Sequence, residues 1–151
     1  MKDQYKYLKI TYEHWSQMKS SLKNIKVEIK TKLNKTESLK KVENSIKNMI
    51  PESIILRQTE DDYLVAEGDI ELLETIRDII KITNSQKLAK NIMNTTKTDE
   101  TVSFYINKQA AYNHKFNILD ESLSALGDIE VIAKTHNNPD DIIEWLTTND
   151  D

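Results

Sequence analysis

The sequence predicts an α+β fold, an antiparallel or mixed sheet with helices packed on one face. Three observations predict it. Period-2 segments follow one another closely, as strands do when they neighbour in a sheet. Helical-period segments stand between them. The only two glycines and two prolines, Gly68, Gly127, Pro51 and Pro139, each fall where the periodicity changes.

Taken in order, Ile25, Val27, Ile29, Thr31 and Leu33 alternate with Lys26, Glu28, Lys30 and Lys32, which predicts a half-buried strand. Asn34 or Thr36 is expected to cap the next helix, with Glu37 in its first turn. Leu39, Val42, Ile46 and Met49 then recur at helical spacing until Pro51 ends the run. Strands around Ile54–Arg57 and Tyr63–Glu67, joined by the acidic turn Thr59–Asp62, predict a hairpin. Gly68-Asp69 opens a helix carrying Ile70, Leu73, Ile76 and Ile80. Thr83-Asn84-Ser85 interrupts it, and Leu88, Ala89, Ile92 and Met93 predict a shorter one. Val102, Phe104 and Ile106 alternate as a strand that breaks into Asn107-Lys108-Gln109-Ala110-Ala111, a turn of helix. Phe116–Leu119 is a brief strand candidate, and Ile129, Val131 and Ala133 alternate again. Asn138-Pro139-Asp140-Asp141 combines an amide cap, proline at the first helical position and acids at the positive end of the dipole.

Residues 25–147 are thus expected to form one domain, flanked by an extension over residues 1–24 and an acidic tail over 148–151. In the extension Leu8, Tyr12, Trp15, Met18 and Leu22 fall at helical spacing. Such a helix can dock on the domain, contact a partner or bind nothing, and Met18 is an alternative start.

Composition narrows the function. The chain has no cysteine, which removes disulfides, thiolate metal sites and cysteine nucleophiles. No run reaches the ~18 apolar residues of a membrane span, and the N-terminus lacks a secretory pattern. A cytoplasmic protein with no membrane, metal or cofactor is expected. Two isolated glycines cannot build a phosphate-binding loop. His14, His114 and His136 have no metal-ligand spacing, so no catalytic residue is assigned and the chain is not expected to be an enzyme. The net charge is −4, so nucleic acid would need a local basic patch. Residues 1–50 supply one candidate, with 12 lysines against 5 acids.

Two clusters offer such a patch. Lys26, Lys30 and Lys32 project from one side of the first strand, either as a phosphate-contacting stripe or as a solvated, lysine-protected edge. Glu28 interrupts it. Around the strand break, Asn107 caps a turn whose free amides favour an anion. Lys108 at that positive end is unfavourable by a few tenths of a kcal/mol, which an intervening phosphate or carboxylate would relieve. Gln109 and Lys115 lie beside it, and Tyr105, facing away from Phe104 and Ile106, offers a ring for stacking. The competing reading pairs Lys108 with an acid, gives Gln109 to a strand edge and makes the alanines a packing site.

The stretch Val102-Ser103-Phe104-Tyr105-Ile106-Asn107-Lys108-Gln109-Ala110-Ala111-Tyr112 resembles the signature of a small archaeal family of uncharacterised proteins. That family sits in a wider group labelled RNA-binding, with a fold similar to ribosomal protein L-five. The resemblance extends through Met49-Ile50-Pro51, Glu67-Gly68, Lys87–Met93, Gly127–Val131 and Asp141–Leu146, so it covers roughly 25–146. It implies a compact α+β domain, a homodimer as a candidate assembly, structured RNA as a candidate partner and no known catalytic activity. The family begins near Ile25, which makes the extension additional. After the alanines it tends to show glycine then arginine, where this chain has His114 and Lys115, and lysine lacks the planar two-point grip of arginine. The leading expectation is a non-catalytic RNA-associated protein. Its rival is an interaction or assembly module using a sheet edge or the N-terminal helix.

Overall fold

A computed structural model describes residues 20–148. The readings of residues 1–19, including most of the expected N-terminal helix, and of the last three residues lie outside it. The core nevertheless starts before Ile25: Ser20 and Ser21 are helical, Leu22 is buried, and Asn137 Nδ2 donates to Ser21 O at 3.1 Å.

Six strands and five helices form the described part. In chain order they are β1 (Lys26–Lys32), α1 (Leu39–Lys47), β2 (Arg57–Gln58), β3 (Tyr63–Gly68), a 3-10 turn (Ile70–Leu73), α2 (Glu74–Ile82), α3 (Gln86–Thr96), β4 (Thr101–Ile106), α4 (Lys108–Tyr112), β5 (Ile118–Leu119), β6 (Ile129–Lys134) and α5 (Pro139–Thr147). The sheet order is β2-β3-β1-β6-β4-β5 and every pairing is antiparallel.

Alternation decides which side each residue faces. Val27, Ile29 and Thr31 of β1 are buried between exposed or half-buried neighbours, and β4 and β6 repeat the pattern with Val102, Phe104, Ile106 and Ile129, Val131, Ala133. These residues meet Ile46 and Met49, Ile76 and Ile80, Met93, and Ile142 and Leu146 in one core. Each Val, Leu, Ile, Met or Phe side chain among them contributes about 1.5–3 kcal/mol by leaving water. The helices therefore cover one face, and the other presents the alternate residues of the strands.

Three local expectations are corrected. Neither Asn34 nor Thr36 caps α1; Ser38 does, accepting from Lys41 N, while the Asn34 amide and backbone N–H both bond to Glu37. The strand expected over 54–57 shrinks to Arg57–Gln58, because Ile54 and Leu56 pack against the core from an irregular segment. The 3-10 turn, capped by Asp69, precedes α2 proper. The acidic hairpin turn is as read, with Asp62 in the left-handed region at φ 62° and Thr59 N donating to Tyr63 O at 2.8 Å. So is the start of α5, where Asn138 accepts from Asp140 N and Pro139 leads the helix.

Candidate nucleic-acid interface

The strand break after Ile106 folds as a capped helical turn, with Asn107 Oδ1 accepting from Ala110 N at 2.8 Å. Lys108, however, points inward. It is only 7% exposed, and its ammonium donates to Lys32 O at 2.8 Å, Leu126 O at 3.0 Å and both oxygens of Glu37 at 3.1 and 3.2 Å. The anion expected at the turn is also supplied from within: Asp128 Oδ1 accepts from Lys108 N at 3.2 Å. A solvent-facing lysine beside free amides is therefore corrected to a brace whose charges are already neutralised. Its job is structural. It ties the end of β1, the lead into α1 and the loop before β6 to one ammonium group.

The alanines fit the same account. Ala111 is fully buried where α4 lies against α1, and Asn48 Nδ2 donates to its carbonyl at 2.9 Å. Gln109 and Lys115 are exposed on this helical side, Lys115 following His114, whose φ is 59°. With Lys41 and Tyr112, Gln109 borders a cleft of about 320 Å³ between α1 and α4, and the Lys41 ammonium stands 5.9 Å from the Tyr112 ring centre. Asn107, Lys108, Gln109 and Lys115 thus do not join the lysines of β1.

Lys26, Lys30 and Lys32 do converge with Tyr105, on the sheet face that the helices among the described residues leave uncovered. Direct cross-strand partners share a face. Lys26 lies opposite Lys134, Lys30 opposite Glu130, Glu130 opposite Tyr105, and Lys32 opposite Tyr63. Arg57 opposite Val65 and Glu28 opposite Glu67 complete the charged set. The face carries five basic side chains (Arg57, Lys26, Lys30, Lys32, Lys134) and three acidic ones (Glu28, Glu67, Glu130), a surplus of two.

The lysines differ in commitment. Lys30 is 3.6 Å from Glu28 and 3.7 Å from Glu130, and its ammonium stands 5.5 Å from the Tyr63 ring centre. Arg57 pairs with Glu67. Lys26 and Lys134 are exposed and directly opposed, an arrangement of like charges that costs stability. Tyr105 is half-buried and donates its hydroxyl to Glu130 Oε2 at 2.7 Å. That bond to a carboxylate, with burial, pushes its phenol up to about 12. At the β2–β3 turn the Asp61 carboxyl is held below its ordinary range, chiefly by the Thr59 hydroxyl, with Lys30 and Lys32 adding smaller attractions.

Two concavities lie on this face among the described residues. One, of about 750 Å³, is bordered by Lys26, Glu28, Lys30, Glu67, Ile132 and Lys134. The second carries both tyrosines. It measures about 440 Å³ and lies between the sheet and the loop before β6, with Lys30, Lys32, Tyr63, Tyr105 and Ser124 in its walls. The loop is fixed from below. Asp128 Oδ2 accepts from Ser122 Oγ, Leu123 N and Ser124 N at 3.1–3.3 Å, while Leu126 O receives both Lys108 and the Asn34 amide. Tyr63, Arg57 and Lys134 belong to this surface although the sequence reading did not select them. Lys134 was within reach, since it stands out of phase with the buried residues of its own strand; Tyr63 was not, because three consecutive residues after it are buried and β3 shows no clean alternation.

Among the described residues no group of three or more His, Asp or Glu side chains is arranged to hold a metal ion, and no helix is long and apolar enough to cross a membrane.

A family model described as RNA binding matches residues 26–135, the whole span from β1 to the end of β6. A UPF0201 protein of Methanothermobacter thermautotrophicus is 36% identical over 124 residues, covering 80% of this chain and 89% of that protein. A UPF0200/UPF0201 protein of Archaeoglobus fulgidus is 29% identical over 117 residues, and the match spans 35% of its length. Among solved structures, an uncharacterized UPF0201 protein superposes with a TM-score of 0.69 at 24% identity, covering 81% of this chain and 92% of that one. A UPF0201 protein from Methanococcus jannaschii gives 0.67 at 23% identity, covering 83% and 95%. These two likenesses concern the fold, and they agree with the architecture described above. The chain belongs to the archaeal UPF0201 family, whose matching model carries the description RNA binding.

Proposed function

We propose that this protein is a non-catalytic RNA-binding protein that uses the uncovered face of its sheet. The observation that carries the reading is the gathering of Lys26, Lys30, Lys32 and Lys134 with Tyr63 and Tyr105 on that one face. The family description supports it. Two enclosed carboxylates are engaged in architecture, Glu37 with Lys108 and Asp128 with the loop.

Because the basic surplus on the face is small, phosphate attraction contributes modestly. Each phosphate neutralised adds about −0.7 to −0.9 to the slope of log affinity against log salt. A shallow slope, roughly −1.5 to −3, is expected for the whole protein. Titrating a structured RNA at two salt concentrations tests this. Binding that weakens with salt, and loses about 1.5 units of slope in a Lys26→Ala, Lys134→Ala variant, supports the reading. Absent binding at low salt, or binding indifferent to salt, removes it.

A second reading, an assembly module or homodimer, draws on Ile55 and Ile82, which are 89% and 79% exposed. Mass in solution separates the two. A dimer dispersed by Ile55→Asp or Ile82→Asp, with no RNA affinity in any form, favours assembly.

A further inference from the structure

We infer that the concavity between Tyr63, Tyr105 and the Ser122–Gly127 loop receives one unpaired nucleotide of single-stranded RNA, with its base stacked on Tyr63 and its phosphate at Lys30 and Lys32. The inference rests on the RNA-binding reading and specifies which form of RNA is bound.

Size is the first argument. About 440 Å³ lies at the small end of ligand sites, which run from roughly 300 to 1,000 Å³. It suits a single nucleotide. A double helix cannot enter it, and paired bases keep their faces inside their own stack, out of reach of a tyrosine ring.

The walls are the second. Tyr63 and Tyr105 sit on β3 and β4, with β1 and β6 between them. Three strand spacings put their backbones roughly 14 Å apart. Lys30, Lys32 and Glu130 fill the floor. The two rings are not equivalent. Tyr105 is tethered through its hydroxyl to Glu130 and acts as a fixed wall. The Lys30 ammonium lies over one face of the Tyr63 ring, 5.5 Å from its centre, so a base stacked on the other face carries its phosphate within reach of a cation.

Electrostatics is the third. The face has a surplus of only two positive charges, and the turn next to Tyr63 carries Glu60, Asp61 and Asp62. A duplex, which relies on many phosphate contacts, gains little here. A stacked base gains roughly 1–3 kcal/mol irrespective of field. The acidic turn repels any phosphate beyond Lys32, so the base enters at Tyr63, its own phosphate stays at Lys30 and Lys32, and the rest of the backbone trails toward Lys26 and Lys134.

The loop completes the recess before any ligand arrives. Lys108 and Asn34 hold Leu126 O, and Asp128 holds three donors of Ser122, Leu123 and Ser124. A wall fixed in advance leaves less ordering to be done on binding.

The test uses the full chain and a labelled ten-nucleotide RNA, free or annealed to its complement, followed by fluorescence anisotropy. The single strand is expected to bind more tightly than the duplex. Tyr63→Ala should weaken it roughly 5- to 150-fold, the span of one lost stacking contact, while Tyr63→Phe keeps it within a few-fold. Thermal melting of both variants verifies that they fold. A duplex bound as tightly as the single strand, or a folded Tyr63→Ala variant with unchanged affinity, overturns the inference while salt-sensitive RNA binding keeps the broader reading. If neither RNA form binds the wild-type chain, both fall.

Discussion

The Lys108 ammonium and the Glu37 carboxylate form an ion pair at 3.1 Å across 71 residues of sequence, with side chains only 8% and 12% exposed. Two main-chain carbonyls, of Lys32 and Leu126, complete the shell around the ammonium. Glu37 is satisfied in turn by Asn34, whose backbone and side-chain N–H groups reach it at 3.1 and 2.6 Å. A pair this enclosed acts as a unit, and removing one member strands the other.

Lys108→Met should therefore destabilise the protein by about 3 kcal/mol, the lower end of what breaking a buried pair costs. Glu37→Leu should cost a similar amount. The double variant should be less destabilised than the two losses combined, because no uncompensated charge remains. Urea unfolding of the four proteins measures the cycle. Strict additivity would mean that the ammonium and carboxylate are energetically independent.

Acid should undo the same contact. The Glu37 carboxyl is pushed up by burial, but hydrogen bonds from Asn34 and Lys108 and the charge of Lys108 outweigh this and hold it below its ordinary 4.5. A group depressed in the folded state stabilises fully above its unfolded value and loses that contribution as pH falls through its folded value. The stability gap between wild type and Glu37→Gln should accordingly be constant near neutrality and narrow as pH drops below about 4.5. Unfolding curves at several pH values read it directly. A gap that stays fixed down to pH 3 contradicts the linkage.

The α1–α4 contact makes a steric prediction. Ala111 is fully buried and its carbonyl receives Asn48. Enlarging it to leucine overfills a closed space, at a cost of about 1–3 kcal/mol. Ala110→Leu, at a half-buried position, should cost less. Comparing melting temperatures tests the contrast, and equal losses would show that the helices have room to part.

What the residues revealed on their own follows from the range of the forces involved. Alternation in β1, β4 and β6 is local, and it placed every buried residue of those strands on the correct side. The Asn138-Pro139 start of α5 is local too, and it is seen as read. It also put Lys26, Lys30, Lys32 and Tyr105 on the outer side, since period 2 allows nothing else. That Lys108 pairs with an acid was one of the two sequence readings, and it is the one the structure shows; which groups would meet it was beyond such reasoning. Its acceptors come from Lys32, Glu37 and Leu126, and nothing in the neighbourhood of Asn107 announces them. The same distance hid Asp128, which meets Lys108 N from 20 residues away. Ile54 and Leu56 misled for a related reason, since a short apolar run satisfies the core from an irregular segment as well as from a strand.

The outermost strands, β2 and β5, are each two residues long. A neighbouring polypeptide seeking to extend the sheet would find almost no continuous row of amide and carbonyl groups to zip onto. Copies of this molecule that meet gain little by joining at β2 or β5, and a fibril would have only two residues at each to begin from.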